Sequence, residues 1–176
     1  MIELLDGEKI ILQKRRHWYA IASESSVLFF AAFVPIAVFA WFVLGLPYEA
    51  VKQALPLAIF ALASWLLVIW IIFFIYWTNY YLDILIVTNK RVIDIEQRGL
   101  FSRDIAETSV ANIQDIKIEI LGILATLWDF GNIHIQTAGE TREMIVRDIA
   151  NPHEVRKRIS EQHHGTLYKE DTLFNA

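Results

Sequence analysis

The chain contains no cysteine, which removes disulfides, thiol nucleophiles and thiolate metal sites together. Glycine and proline are scarce, at seven and four. They build neither a glycine-rich phosphate loop nor a tight elbow around a serine. The five histidines carry no metal signature. His163 and His164 are adjacent, and His153-Glu154 lacks the second histidine four residues on that a zincin helix requires. Positive charge is also short: 16 Lys and Arg stand against 20 Asp and Glu, for a net charge of -4. From Thr78 onward the count is 11 against 15, so the C-terminal part carries that whole deficit. A nucleic-acid binder shows a basic stripe, and none is present. Carboxylates occur in pairs, but none is singled out by an apolar setting. These absences argue against an enzyme, a cofactor, a metal and a nucleic-acid partner.

Charge itself is missing from two long stretches, Val27 to Leu46 and Ala54 to Trp77. Each is long enough to cross a bilayer as a helix, which takes about 20 mainly apolar residues. Only Gly45 to Gln53 parts them, so the pair reads as a transmembrane hairpin with spans near 24–46 and 54–77. The first run starts too far in for a signal peptide and ends in Trp41-Phe42-Val43-Leu44 rather than a small-residue cleavage site, so it is expected to be retained. Lys9, Lys14, Arg15 and Arg16 precede the first span; Lys90, Arg91, Arg98 and Arg103 follow the second; the loop between has Lys52 beside Glu49. Positive charge marks the inner side, which puts both termini in the cytoplasm. Trp18, Tyr19, Trp77 and Tyr80 are then the interfacial anchors of the inner face, with Trp41 and Tyr48 near the outer one. Pro35 predicts a bend in the first span. Pro56 is expected in the first turn of the second, where a missing N–H costs little. Ala54, Ala58 and Ala61 share a face that would admit a close helix neighbour. Glu24 falls at the first span's edge, within reach of headgroup water. Only Glu24 and Ser64 offer polarity for a pore.

Beyond Trp77 the apolar period switches from helical to two. Tyr81 to Val87 and Arg91 to Gln97 read as strands joined by a turn at Thr88-Asn89-Lys90. Ser102 to Ser109 reads as a polar edge strand. Ile113, Ile116, Ile118 and Ile120 mark a half-buried strand. Gly131 to Thr137 and Arg142 to Ile149 form another pair around a turn at Ala138-Gly139-Glu140-Thr141. Asn151, Pro152 and Glu154 start a helix as N-cap, first-turn proline and capping-box partner. Val155 and Ile159 face the sheet, Gly165 ends the helix, and 166–176 form a loose tail. Residues 3–18 leave two options: Ile10-Ile11-Leu12 adds a strand to the sheet edge, or lies on the bilayer.

Val87-Thr88-Asn89-Lys90-Arg91-Val92-Ile93, Gly99-Leu100-Phe101, the strand from Ile113, Gly131 to Gly139 and Ile149-Ala150-Asn151-Pro152 together resemble the bacterial PH-like domain of the YdbS type, once called the membrane-flanked domain. The likeness covers roughly Tyr80 to His163, and paired spans upstream also fit it. It implies two bent antiparallel sheets plugged by a C-terminal helix, with no agreed catalytic residues or ligand. The expected fold is α+β: a two-helix transmembrane hairpin, then a PH-like antiparallel β-barrel or split sandwich with a C-terminal α-helix. The expected division is a cytoplasmic segment 1–20, the hairpin 21–77, the PH-like domain 78–165 and the tail 166–176.

Two kinds of surface are candidates for function. Lys14, Arg15, Arg16, Lys90 and Arg91 are candidate lipid-headgroup contacts, each cation near an anionic leaflet being worth about 1 kcal/mol. The apolar stretch Leu121 to Phe130 breaks the strand rhythm. Its Leu124, Leu127, Trp128 and Phe130 are either core or a contact patch for a partner or the bilayer. The sequence thus points to a non-enzymatic docking or scaffolding module in contact with membrane lipids and with another membrane or cytoplasmic protein, a second copy included. Lipid sensing and a small oligomeric transport subunit are the alternatives.

Overall fold

Ile10-Ile11-Leu12 joins the sheet. In the computed structural model, which describes residues 4–45, 47–138 and 143–174 without the side chains of 164 and 166–174, strand β1 (Ile10–Arg15) pairs antiparallel with β2 (Ile84–Thr88), Arg15 opposite Ile84 and Leu12 opposite Val87. Two long helices lie between these neighbours in the chain: α1 (Trp18–Gly45) and α2 (Tyr48–Leu82). After β2 come β3 (Arg91–Gln97), β4 (Arg103–Ser109), a 3-10 turn at Val110–Asn112, β5 (Ile113–Glu119), α3 (Ile123–Trp128), β6 (Phe130–Thr137), β7 (Met144–Ala150) and α4 (Pro152–Phe174). The chain divides into two units, one of Tyr19–Thr78 and one that joins the residues up to Trp18 with those from Asn79 on. The first β-strand therefore belongs to the C-terminal module and is not part of a separate N-terminal segment.

Both helices of the first unit are long and apolar enough to cross a membrane, and neither has a buried residue. Both exceed the expected spans. Helix α2 starts at Tyr48, so Pro56 lies inside it and not in its first turn. The residues from Tyr48 to Gln53, read as a loop for their polarity, are helical. Helix α1 runs unbroken through Pro35. Proline has no N–H to give the carbonyl four residues back, which here is that of Ala31. The indole Nε1–H of Trp65 on α2 donates to the Ala31 carbonyl at 3.1 Å, so the second helix supplies the bond that the first cannot make. An apolar cleft of about 450 Å³ lies between the helices, with Pro35 and Phe39 on one side and Ala58, Ala61 and Trp65 on the other.

The second unit holds two antiparallel sheets, ordered β1-β2-β3-β4 and β5-β6-β7, and one bridge from Arg16 to Ile149 ties the two. Alternation sends Leu85, Val87, Val92, Ile113, Ile116, Ile133, Ile135, Val146 and Ile149 into one core, which Val155 and Ile159 of α4 close. This is the PH-like arrangement. A bulge separates Gly131 from Ile133 where β6 meets β7. Gly131 has no substitute there: a Cβ would stand 2.6 Å from the Glu119 carbonyl oxygen.

Several boundaries move. Strand β2 begins at Ile84 and not Tyr81, because α2 runs on to Leu82. The turn expected at residues 139–141, and Arg142, fall outside the described residues. Asn151 opens α4 through its backbone, its carbonyl accepting from the N–H of Glu154 and Val155, with φ at +52°. The capping box does not form, because the Glu154 carboxylate accepts from Lys14 Nζ at 2.8 Å. Nor does Gly165 end the helix. A glycine inside a helix costs about 1 kcal/mol, yet α4 continues through Gly165 to Phe174, so 166–174 are not a loose tail.

Candidate functional site

The five cations proposed for lipid headgroups are brought into one module, but not as an open basic patch. Arg91 places Nε 3.0 Å from Glu8 Oε1, Nη2 3.1 Å from Glu8 Oε2, and Nη1 2.6 Å from Glu107 Oε2. Lys90 Nζ donates to the Asp6 carbonyl at 2.7 Å. Lys14 is spent on Glu154. Arg16 pairs with Asp83 at 2.9 Å. The Arg15 guanidinium stands over the Tyr81 ring, 4.4 Å from its centroid, a cation–π contact. Near Lys90 and Arg91 a shallow depression opens, but Glu107 forms part of its wall.

The Thr88-Asn89-Lys90-Arg91 turn is a clamp on the segment before β1. Asn89 Oδ1 accepts from the Lys9 N–H at 2.8 Å, and its Nδ2 donates to the Gly7 carbonyl at 3.2 Å. The Thr88 hydroxyl donates to Glu8 Oε1 at 2.7 Å, and the Leu5 N–H donates to Glu8 Oε2 at 2.7 Å. Glu8 is the hub, with its carboxylate buried. Arg91, first among these partners, holds its pKa down to about 2. Sequence reasoning missed Glu8. A lone acidic residue in a short polar segment carries no local signal, and its partners are some eighty positions away.

Carboxylates gather at the other end of the sheets. A mixed-charge cleft of about 380 Å³ is lined by Asp94, Glu96, Arg98, Asp104, Glu143 and Arg147. Asp83 lies deeper, its Oδ1 accepting from the Gln97 N–H at 2.6 Å. Burial pushes the Asp83 pKa up against that bond and against Arg16. Burial first, then the charges of Glu96 and Asp83, push Asp94 up to about 6. Glu96 contacts Arg16, Arg98 and Arg147. The cleft is cross-linked internally and is no receptacle for an anion. Among the described residues no group of three or more His, Asp or Glu is placed to hold a metal ion.

The apolar stretch splits in two. Phe130 is buried at the start of β6 and stacks on His17, centroids 4.8 Å apart and planes within 14°; it is core, not contact surface. Burial also lowers the His17 pKa. Gly122 at φ +94° lets the chain turn into α3, which roots itself by Ala125 alone. Leu121, Ile123 and Leu127 stand 70%, 86% and 72% exposed, and Leu124 and Trp128 are also exposed. Trp128 lies ring to ring with Trp18, centroids 5.0 Å apart. Of the expected anchors, Trp18 and Trp77 are exposed while Tyr19 and Tyr80 are partly covered.

Compared with known proteins, residues 26–163 match a family model described as the bacterial PH domain. Two solved structures are similar in fold over part of their length. A pleckstrin-homology-domain protein of the DUF1696 family from Shewanella loihica PV-4 is 17% identical, with 46% of this chain and 70% of that one covered and a TM-score of 0.38. A pleckstrin homology domain from Shewanella amazonensis SB2B is 15% identical, with 46% and 66% covered and a TM-score of 0.38. Comparison with curated proteins gives no match.

Proposed function

The chain belongs to the bacterial PH domain family, and from that premise we propose that it is a non-enzymatic docking module anchored in a prokaryotic plasma membrane by α1 and α2. The observation that carries this reading is the β1–β2 pair. One strand precedes both apolar helices and its neighbour follows them, so any membrane crossing between them comes in an even number. A two-span hairpin meets that condition. The excess of Lys and Arg on the flanks over the single Lys52 between the helices supports a cytoplasmic module.

Docking has a backbone-level opportunity at β4. Among the described residues this strand is paired on one side only, with β3, and six of its seven residues are exposed. An extended segment of another protein, or of a second copy, can add there as a further strand. Arg103, Asp104 and Glu107 guard the edge against indiscriminate pairing. Confinement of both partners to one plane raises their effective concentration, so modest contacts suffice. Headgroup sensing is less favoured, since the candidate cations have intramolecular partners. A transport subunit is less favoured because Ser64 donates to the Phe60 carbonyl of its own helix, leaving little polarity for a pore.

A photo-crosslinking residue placed at Asp104 in living cells tests the docking surface. One discrete adduct, weakened by Ile105→Lys on the same strand, is the expected result. A smear of abundant proteins, indifferent to Ile105→Lys, refutes the reading.

A further inference from the structure

Helix α3 and the turn that leads into it leave four large aliphatic side chains, Leu121, Ile123, Leu124 and Leu127, in the open. They belong to a stretch from Ile120 to Trp128 that carries no charge. Cores do not need such a projection, and the Gly122 turn and the buried Ala125 hold it in place. Its neighbour tells what covers it. Trp128 closes α3 and packs on Trp18, the residue at which the 28-residue apolar helix α1 begins. A tryptophan at the end of a span sits at the headgroup level, so α3 lies one ring away from that level. Part of the polar backbone is paired within the turn itself: the Thr126 N–H and hydroxyl both donate to the Gly122 carbonyl, at 3.2 and 3.0 Å, and the Asp129 N–H donates to the Ala125 carbonyl, while the groups left over at the ends of so short a helix stay within reach of headgroup water. A protein partner is the poorer occupant: the stretch carries no charged side chain, so it lacks the charged and hydrogen-bonding rim by which a protein interface selects its partner.

We propose that α3 is a lipid wedge, with Leu121, Ile123, Leu124 and Leu127 embedded among the acyl chains of the leaflet on which the module rests. The inference rests on the reading of α1 and α2 as membrane spans. The wedge gives the module a third attachment besides its two covalent ones and fixes which of its faces meets the bilayer.

The absence of native cysteine makes the test direct. The full chain is reconstituted in phosphatidylcholine–phosphatidylglycerol vesicles with a single environment-sensitive label at Leu127→Cys, and separately at Ile123→Cys. Val68→Cys on α2 reports the spans, and Gln114→Cys, exposed on β5, reports water. Lipids brominated on their acyl chains and aqueous iodide are the two quenchers. Labels at 127 and 123 are expected to follow Val68→Cys: strongly quenched by bromolipid and several-fold less by iodide than Gln114→Cys. Iodide quenching at 127 and 123 with Val68→Cys still in lipid overturns the wedge and leaves the spans standing. Shielding from both quenchers means that protein covers α3, and overturns it too. Iodide quenching at Val68→Cys refutes the spans and the wedge together. Far-UV circular dichroism of each labelled chain confirms that it is folded.

Discussion

Asp94 is a carboxylate in the wrong surroundings. It faces the cleft between the sheets, with Asp83 and Glu96 raising its pKa to about 6 beyond what burial alone does, while Arg16 and Arg147 pull the other way. A raised carboxylate pKa means that the folded state keeps a proton which the unfolded chain gives up near pH 4. Asp94 therefore costs nothing below that range, its penalty builds as pH climbs from about 4 to about 6, and it is complete at neutral pH. Asp94→Asn removes the penalty, so it is expected to stabilise the full chain in detergent micelles by about 2 kcal/mol at pH 7.5, with the gain fading toward pH 4. Urea unfolding at the two pH values checks this; a gain equal at both refutes it. From sequence Asp94 is an ordinary polar residue in an alternating strand, because nothing local tells which mouth of a folded-over sheet it faces. The same blindness made Lys90 and Arg91 look free. Their charge was legible, but their partners Asp6 and Glu8 come from a segment far back in the chain.

At the scale of elements, periodicity carried most of the weight. Strands β3 to β7 and the start of α4 stand within a residue or two of where alternation and turn chemistry put them. The helix ends did not, since polarity at Tyr48 to Gln53 and a glycine at 165 suggest breaks that helix continuity overrides. The two apolar helices were visible as such; the bond between them was not. Trp65 makes good the donor that Pro35 lacks, and this gives a double-mutant prediction. Trp65→Phe is expected to weaken the hairpin by about 1 kcal/mol, typical of interhelical hydrogen bonds in membranes. In a Pro35→Ala background, where residue 35 offers its own N–H to the Ala31 carbonyl, the loss should largely vanish. Unfolding of the four chains in mixed micelles measures the coupling, and equal losses in both backgrounds would sink the account.

At the scale of the whole molecule, the apolar helices interrupt one sheet. The PH-like unit is discontinuous, because its first strand lies upstream of α1 and the rest downstream of α2. That was undecidable from composition, since Ile10-Ile11-Leu12 suits a sheet edge and a bilayer surface equally. The register gives a sharp expectation. Arg15 and Ile84 are direct neighbours, so replacing 19–78 by a short Gly/Ser linker should yield a soluble, cooperatively melting module. The piece from Asn79 onward, stripped of β1 and of Glu8, should melt markedly lower or not fold. Thermal melts followed by near-UV circular dichroism decide; equal melting of the two pieces would show that β1 contributes nothing.

The interruption also sets an order of events during biosynthesis. Strand β1 leaves the ribosome about seventy residues ahead of its partner, a delay of several seconds at ~5–20 residues per second. On the proposed reading of α1 and α2 as spans, both enter the bilayer in that interval. Should one fail to insert, β1 and β2 emerge on opposite sides and the sheet cannot close. Completion of the fold is thus a built-in proofreading of insertion, and a chain with faulty topology is left with unpaired strands for proteases to find.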